Sequence, residues 1–206
     1  AEGEVLEDLK TAVDQQGMQL STPREVKLAL NGVRFIFPQI KNDIYFPDFC
    51  RLQLIKTTNY NLYRWLEEYL SVRSVLVTGD ATVATDERAK MGERLKDILP
   101  SESFESSFSI RSLGRFVPGV CHDEEPEKRV YRESNSSEMA DLISLKRLGS
   151  PLHYRFYFAL SGPKTVMPDN EFNDLLKLSV TDVEMLASRL TEEVLKRRSS
   201  GRTWFE

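Results

Sequence analysis

Apolar residues recur along most of this chain at intervals of three and four, the spacing that gives a helix one apolar face. Over residues 4–16, Val5, Leu6, Leu9, Ala12 and Val13 keep that spacing, and Gly17 is placed to end the run. Thr22, Pro23 and Glu25 then form a capping box with proline at the first helical position, which fixes the start of a second helix. Its apolar stripe is Val26, Ala29, Leu30, Val33, Ile36 and Phe37, and Pro38 is expected to close it. Phe46-Pro47-Asp48 opens a third helix carrying Phe49, Leu52 and Ile55. The polar run 57–59 separates it from a fourth, with Leu62, Trp65, Leu66, Tyr69 and Leu70 inward. A loop is expected over 78–85, followed by a helix with Met91, Leu95, Ile98 and Leu99 that Pro100 ends.

Residues 101–137 are rich in Ser, Glu, Pro and Gly, with Phe104, Phe108, Leu113 and Phe116 as intermittent anchors and a charged loop over 121–132. Beyond them, 138–148 reads as helical and 151–160 as an aromatic cluster. The alternation of Tyr154, Phe156 and Phe158 also fits a strand, with helix the preferred reading. Phe172, Leu175 and Leu176 mark a short helix after Pro168. Thr181 and Glu184 suggest a second capping box, for a closing helix with Val183, Leu186, Ala187, Leu190 and Val194 on one face. The expected fold class is mainly all-α, in three parts: a helical domain over 1–100, a loop-rich connector with short helices over 101–137, and a helical extension over 138–206.

The composition fits a folded chain: of 206 residues, 40% are hydrophobic and 29% charged. A net charge of -4 argues against a nucleic-acid binder held by a basic field. Cys50 and Cys121 stand far apart, with no Cys or His at metal-ligand spacing, so neither a disulfide framework nor a zinc site is expected, and a reducing, cytoplasmic setting fits. The longest apolar runs, such as 33–37 and 156–160, fall far short of the ~20 residues that cross a bilayer. The chain opens Ala1-Glu2-Gly3 without an initiator Met or a signal peptide, and is read as a piece of a longer protein or a processed product.

No complete catalytic or nucleotide-binding motif is present. Gly162-Pro163-Lys164-Thr165 is the string nearest to a phosphate loop, but it lacks the upstream glycine and puts proline where an amide donor is needed. Residues 75–79 read as a loop, with a strand running into a turn as the alternative, and no Lys-Ser or Lys-Thr follows. His122 and His153 have no nucleophile or metal ligand at readable spacing; a packed role fits His153 and a solvated one His122. The pairs Glu67-Glu68 and Glu192-Glu193 fit solvated helix faces. Lys196-Arg197-Arg198 and Arg202 could grip RNA or lipid headgroups, but complementing the carbonyl end of the last helix is the preferred role. Arg24 differs: it sits in the first turn of a capped helix, where the backbone already disfavours a cation, which suggests a negatively charged partner.

The segment Leu20-Ser21-Thr22-Pro23-Arg24-Glu25-Val26-Lys27, with Asn31 beyond it, resembles the opening of the helical lid in KAP-family P-loop NTPases. Phe46-Pro47-Asp48-Phe49 and Asn61-Leu62-Tyr63-Arg64-Trp65-Leu66 resemble the family's next helices, and the aromatic segment 150–160 resembles one found farther on in bacterial members. The likeness runs discontinuously over roughly residues 18 to 180. It implies an irregular helical domain like an AAA+ or STAND-type lid, with a C-terminal helical extension, belonging to a bacterial ATPase concerned with phage exclusion. ATP and Mg2+ would be held in an upstream P-loop core, the chain's expected partner, and a further protein partner or homo-oligomer is also expected. Arg24 would take the second-sensor role toward the terminal phosphate. The competing reading is a helical adaptor module with no nucleotide-linked role.

Overall fold

A computed structural model describes residues 2–79, 82–99, 109–158 and 169–195. They form an all-α fold, with no strand among the described residues. The helices are α1 (Glu2–Gln16), α2 (Pro23–Ile40), α3 (Phe46–Thr58), α4 (Tyr60–Thr78), α5 (Thr85–Ile98), α6 (Ile110–Gly114), α7 (Ser136–Ser144), α8 (Tyr154–Phe158), α9 (Asp169–Thr181) and α10 (Val183–Leu195). Short 3-10 turns occupy Gly17–Gln19 and Pro126–Lys128.

At the centre is α3, where every residue from Pro47 to Ile55 is buried. α1, α2 and α4 all pack against it, while α4 also meets α5 and α8. One apolar cluster runs from Ile40 through Phe49, Leu52, Trp65 and Leu66 to Leu113, Val130, Leu148 and Tyr157. Within it, Trp65, Tyr69 and Tyr131 stack as a column with successive ring centroids 4.8 Å apart. The Trp65 indole donates to the Met91 carbonyl at 3.1 Å, and the Tyr69 hydroxyl donates to the Pro118 carbonyl at 2.9 Å. Both aromatic polar ends are therefore satisfied in the dry interior.

Buried arginines tie the irregular stretches to the helices. Arg73 of α4 donates to the Gly149 carbonyl at 3.0 Å and to the Ser134 hydroxyl at 2.8 Å. Arg129 closes the loop before it by donating to the carbonyls of Asp123 and Glu124, both at 2.7 Å. A forked guanidinium suits this task because it offers several donors in fixed directions.

Several local expectations shift. α2 runs two residues beyond Pro38, to Ile40, because a proline so near the helix end costs only the carbonyl contact of an exposed turn. Its packed stripe also lies later than periodicity suggested: Ala29 and Ile40 are buried and Val33, Ile36 and Phe37 half-buried, whereas Val26 and Leu30 are exposed. Residues 75–78 continue α4 as helix, with Gly79 as its C-cap. The helix expected over 138–148 ends at Ser144, because Lys146 takes a left-handed φ of 54° that stops it. α8 is helical, so the strand alternative for 154–158 does not hold. The cap of α10 is Asp182, whose carboxylate accepts from the Met185 amide at 2.9 Å; Thr181 is still helical and donates to the Lys177 carbonyl. Phe104, Phe108 and Pro100 lie outside the described residues.

Gly92 on α5 allows the Pro126–Lys128 turn to approach, since a Cβ there would collide with the Pro126 carbonyl. Gly92→Ala is therefore expected to lower stability by about 1–3 kcal/mol despite alanine's better helix propensity. Gly3→Ala, with nothing within 4 Å of the new methyl, should be neutral or mildly stabilising. Urea unfolding of the two variants checks both, and equal responses would contradict the packing argument.

Candidate functional site

Two places carry the polar side chains that could serve function. The first is the start of α2. Glu25 accepts from the backbone amides of Ser21 at 2.7 Å and Thr22 at 3.0 Å, while its own amide donates to the Thr22 hydroxyl at 3.3 Å. These donors, with the Ser21 hydroxyl, hold the Glu25 carboxyl below its usual range. The capping box expected from sequence is thus in place, and Arg24 stands in that first turn, exposed. Its guanidinium has no hydrogen-bond or ion-pair partner among the described residues. Val26, Leu28 and Leu30 continue this exposed half of the helix.

The second place was not singled out in the sequence. Asp48, in the first turn of α3, is buried, and its carboxylate accepts from the Arg147 Nε and the Leu148 amide, both at 2.9 Å. Arg147 reaches Asp8 of α1 through Nη1 at 3.1 Å and lies over the Tyr45 ring at 4.5 Å. The Tyr45 hydroxyl in turn donates to Asp8 at 3.0 Å. The Tyr157 hydroxyl donates to the Lys146 carbonyl at 2.7 Å and accepts from the Tyr45 amide at 2.8 Å. Burial pushes the Asp48 carboxyl up, outweighing the opposing pull of Arg147, the Leu148 amide and Arg51. For Arg147 burial favours the neutral form, but the attraction of Asp48 and Asp8 prevails and raises its pKa. The Tyr45 hydroxyl is pushed up to about 12, mainly by desolvation and then by Asp8. One signal was legible in principle: Asp48 and Arg51 interrupt the apolar run of α3 one turn apart. Arg147 carried no local signal at all.

The remaining candidates divide plainly. His153 is buried, with Nδ1 at 2.9 Å from the Ser150 hydroxyl, in the turn that opens α8; Ser150 is fully buried and inaccessible to a substrate. His122 is exposed. Glu68 forms a two-pronged pair with Arg94 of α5, and Glu67 pairs with Arg64. Gly162-Pro163-Lys164-Thr165, Lys196-Arg197-Arg198 and Arg202 lie outside the described residues, and nothing is described of the side chains of Glu192 and Glu193. Among the described residues no group of three His, Cys, Asp or Glu converges on a metal position, and no helix is long and apolar enough to cross a membrane.

No family model matches the chain, and no solved structure matches it. A curated protein does. The chain is similar to the phage T7 exclusion protein of Escherichia coli (strain K12), 32% identical over 204 residues. The aligned part is 98% of this chain but 28% of that protein, so the chain spans little more than a quarter of the relative it matches. The alignment covers both the α2 start and the Asp48–Arg147 cluster.

Breaking a buried ion pair on one side costs about 3–5 kcal/mol, because the other charge is stranded. Arg147→Ala is expected to show such a loss near neutral pH. Without the guanidinium the Asp48 pKa rises further, so the native state holds a proton that the unfolded chain has released; the loss should therefore shrink as pH falls toward the ordinary carboxylate range. A loss independent of pH in urea titrations would show that Asp48 is not the stranded group. Burial also pushes the Cys50 thiol up to about 12. Cys50 should thus resist alkylation in the native protein near pH 8 and react only on unfolding, as mass spectrometry of labelled peptides would reveal.

Proposed function

We propose that this chain acts in phage exclusion, as the helical lid and C-terminal part of a longer protein. The observation that carries this is the similarity to the phage T7 exclusion protein along 98% of the chain. The finer part of the proposal is that the longer protein is an ATPase resembling the KAP family, with ATP and Mg2+ held by an upstream P-loop core. Arg24 cannot hold a nucleotide alone, since a cradle of amides, a Lys and a metal ligand would all be missing. It is suited to a lesser task. An exposed, unpartnered guanidinium, carried on a capped first turn, can meet a terminal phosphate when lid and core close, and so favour the closed state. The exposed apolar half of α2, with Val26, Leu28 and Leu30, supports docking against another body in the same region.

A second reading, a helical adaptor, is favoured by the exposed Leu176, Val180, Val183, Met185 and Leu190 of α9 and α10. The two readings separate at Arg24. In the intact protein Arg24→Ala should leave the melting temperature unchanged, because the side chain has no partner to lose and leaves a helix start that disfavours cations. Charge-assisted hydrogen bonds to a phosphate contribute about 1.5–3 kcal/mol, so ATP turnover should fall about ten- to a hundredfold and phage T7 plating should recover in parallel. Lys at this position should rescue only part of the activity, having lost the planar fork. Thr22→Ala should instead lower stability by about 1 kcal/mol through the lost cap. Unchanged turnover and exclusion in the Arg24→Ala protein would remove the sensor role and leave the adaptor.

A further inference from the structure

The face of α2 opposite its packed residues is built like one half of a helix–helix seam. Leu28, Asn31, Phe35 and Pro38 recur there at intervals of three and four, a seven-residue repeat. Leu28 is 54% and Phe35 68% exposed, and two such side chains aligned on one face differ from the single apolar residues of an ordinary surface. Lys27 and Arg34 stand beside this stripe, seven residues apart, exposed and without an ion-pair partner among the described residues. The one acid of α2, Glu25, is engaged in the capping box. The outward face of α2 is therefore apolar along its middle and basic at its rim.

A second surface carries the opposite charge. α9 and α10 pack on each other, with Leu175, Leu178 and Leu186 half-buried, and none of their described side chains is buried. On α10, Val183, Ala187 and Leu190 keep intervals of four and three and are all exposed, Val183 to 67%. Glu184 stands beside that stripe, exposed, and Thr191 follows it seven residues later. Residues 169–195 hold seven acidic residues against two basic ones, and one of the bases, Lys177, is paired with Asp174. Two such hairpins laid together would set acid against acid, and two α2 faces base against base. Only the crossed pairing is attractive at its rim. Within one chain neither stripe is covered, so a second copy supplies the complement.

We infer that two copies of this chain associate by laying the α10 face of each on the α2 face of the other, Leu28 and Phe35 against Val183 and Leu190, with Lys27 and Arg34 beside the acidic rim that includes Glu184. The exchange is reciprocal, so it closes on a two-fold axis and leaves neither surface open. The apolar residues supply the affinity and the charges choose the partner, since exposed ion pairs contribute little by themselves. The inference does not rest on the nucleotide role proposed for Arg24.

Analytical ultracentrifugation of the purified protein at micromolar concentrations tests the pairing, with circular dichroism as the control for folding. A monomer–dimer equilibrium is expected. Phe35→Ser, a change at an exposed position, should keep the helical spectrum and weaken association by about tenfold or more. Lys27→Glu with Arg34→Glu gives a chain whose two surfaces are both acidic, and Glu184→Lys with Thr191→Lys one whose two rims are both basic. Each double variant should be monomeric alone, and mixing the two should restore a one-to-one dimer, because each surface then meets its complement. A monomeric parent protein overturns the inference. So does a dimer that the Lys27 and Arg34 reversal leaves intact, which would assign the contact to the hairpins alone. Two folded double variants that stay monomeric when mixed also overturn it and assign the charge match to contacts within one chain. Should a reversal fail to fold, Phe35→Ser decides, and undiminished association of that variant overturns the pairing.

Discussion

A single buried carboxylate joins the early and late parts of this fold. Asp48 enters the interior with α3 because its neighbours in that helix are apolar and drag it there. Once inside, it needs donors, and the chain supplies them from 99 and 100 residues later, through Arg147 and the Leu148 amide. The same guanidinium reaches α1 at Asp8 and covers Tyr45, so one side chain fixes the relative placement of α1, α3 and the turn after α7. Tyr157 stitches that turn again by bonding both Lys146 and Tyr45. The pair is better understood as a specifier of register than as a source of net stability, since desolvation consumes most of what its attraction provides.

α2 serves two surfaces at once. Its second half is fastened by Ala29, Val33, Ile36, Phe37 and Ile40 to the core, and a side chain at Gly32 would strike the Gln53 amide, so the approach to α3 is close. Its first half stands clear, oriented by the Thr22 cap and not by packing. Arg24 is thereby carried on a helix whose other end is buried, which fixes its backbone position while the exposed side chain stays free to turn.

What sequence could tell followed from how local each cause was. The capping box at Thr22 and the inward stripe Leu62, Trp65, Leu66, Tyr69 and Leu70 depend on neighbours within four residues, and both stand as expected. α2's packed face was misplaced because the stripe continues to both ends of the helix, and only tertiary contact decides which half finds a partner. The end of α7 was missed because Lys146 carries no glycine or asparagine signature for its left-handed backbone, which is held from outside by the Tyr157 hydroxyl on its carbonyl. The Asp48–Arg147 cluster depends on residues drawn from positions 8, 48, 147 and 148. Spacing along the chain does not encode such a meeting.

The long separation between Asp48 and its donors also orders events in time. On a ribosome, α3 leaves the exit tunnel when the segment that will neutralise its buried acid has not yet been made. Until residues 147 and 148 arrive, a helix with nine consecutive buried positions in the finished fold has no complete shelter. Contacts of such range close late and slowly. The register of the early helices is thus completed only by a turn encoded a hundred codons downstream.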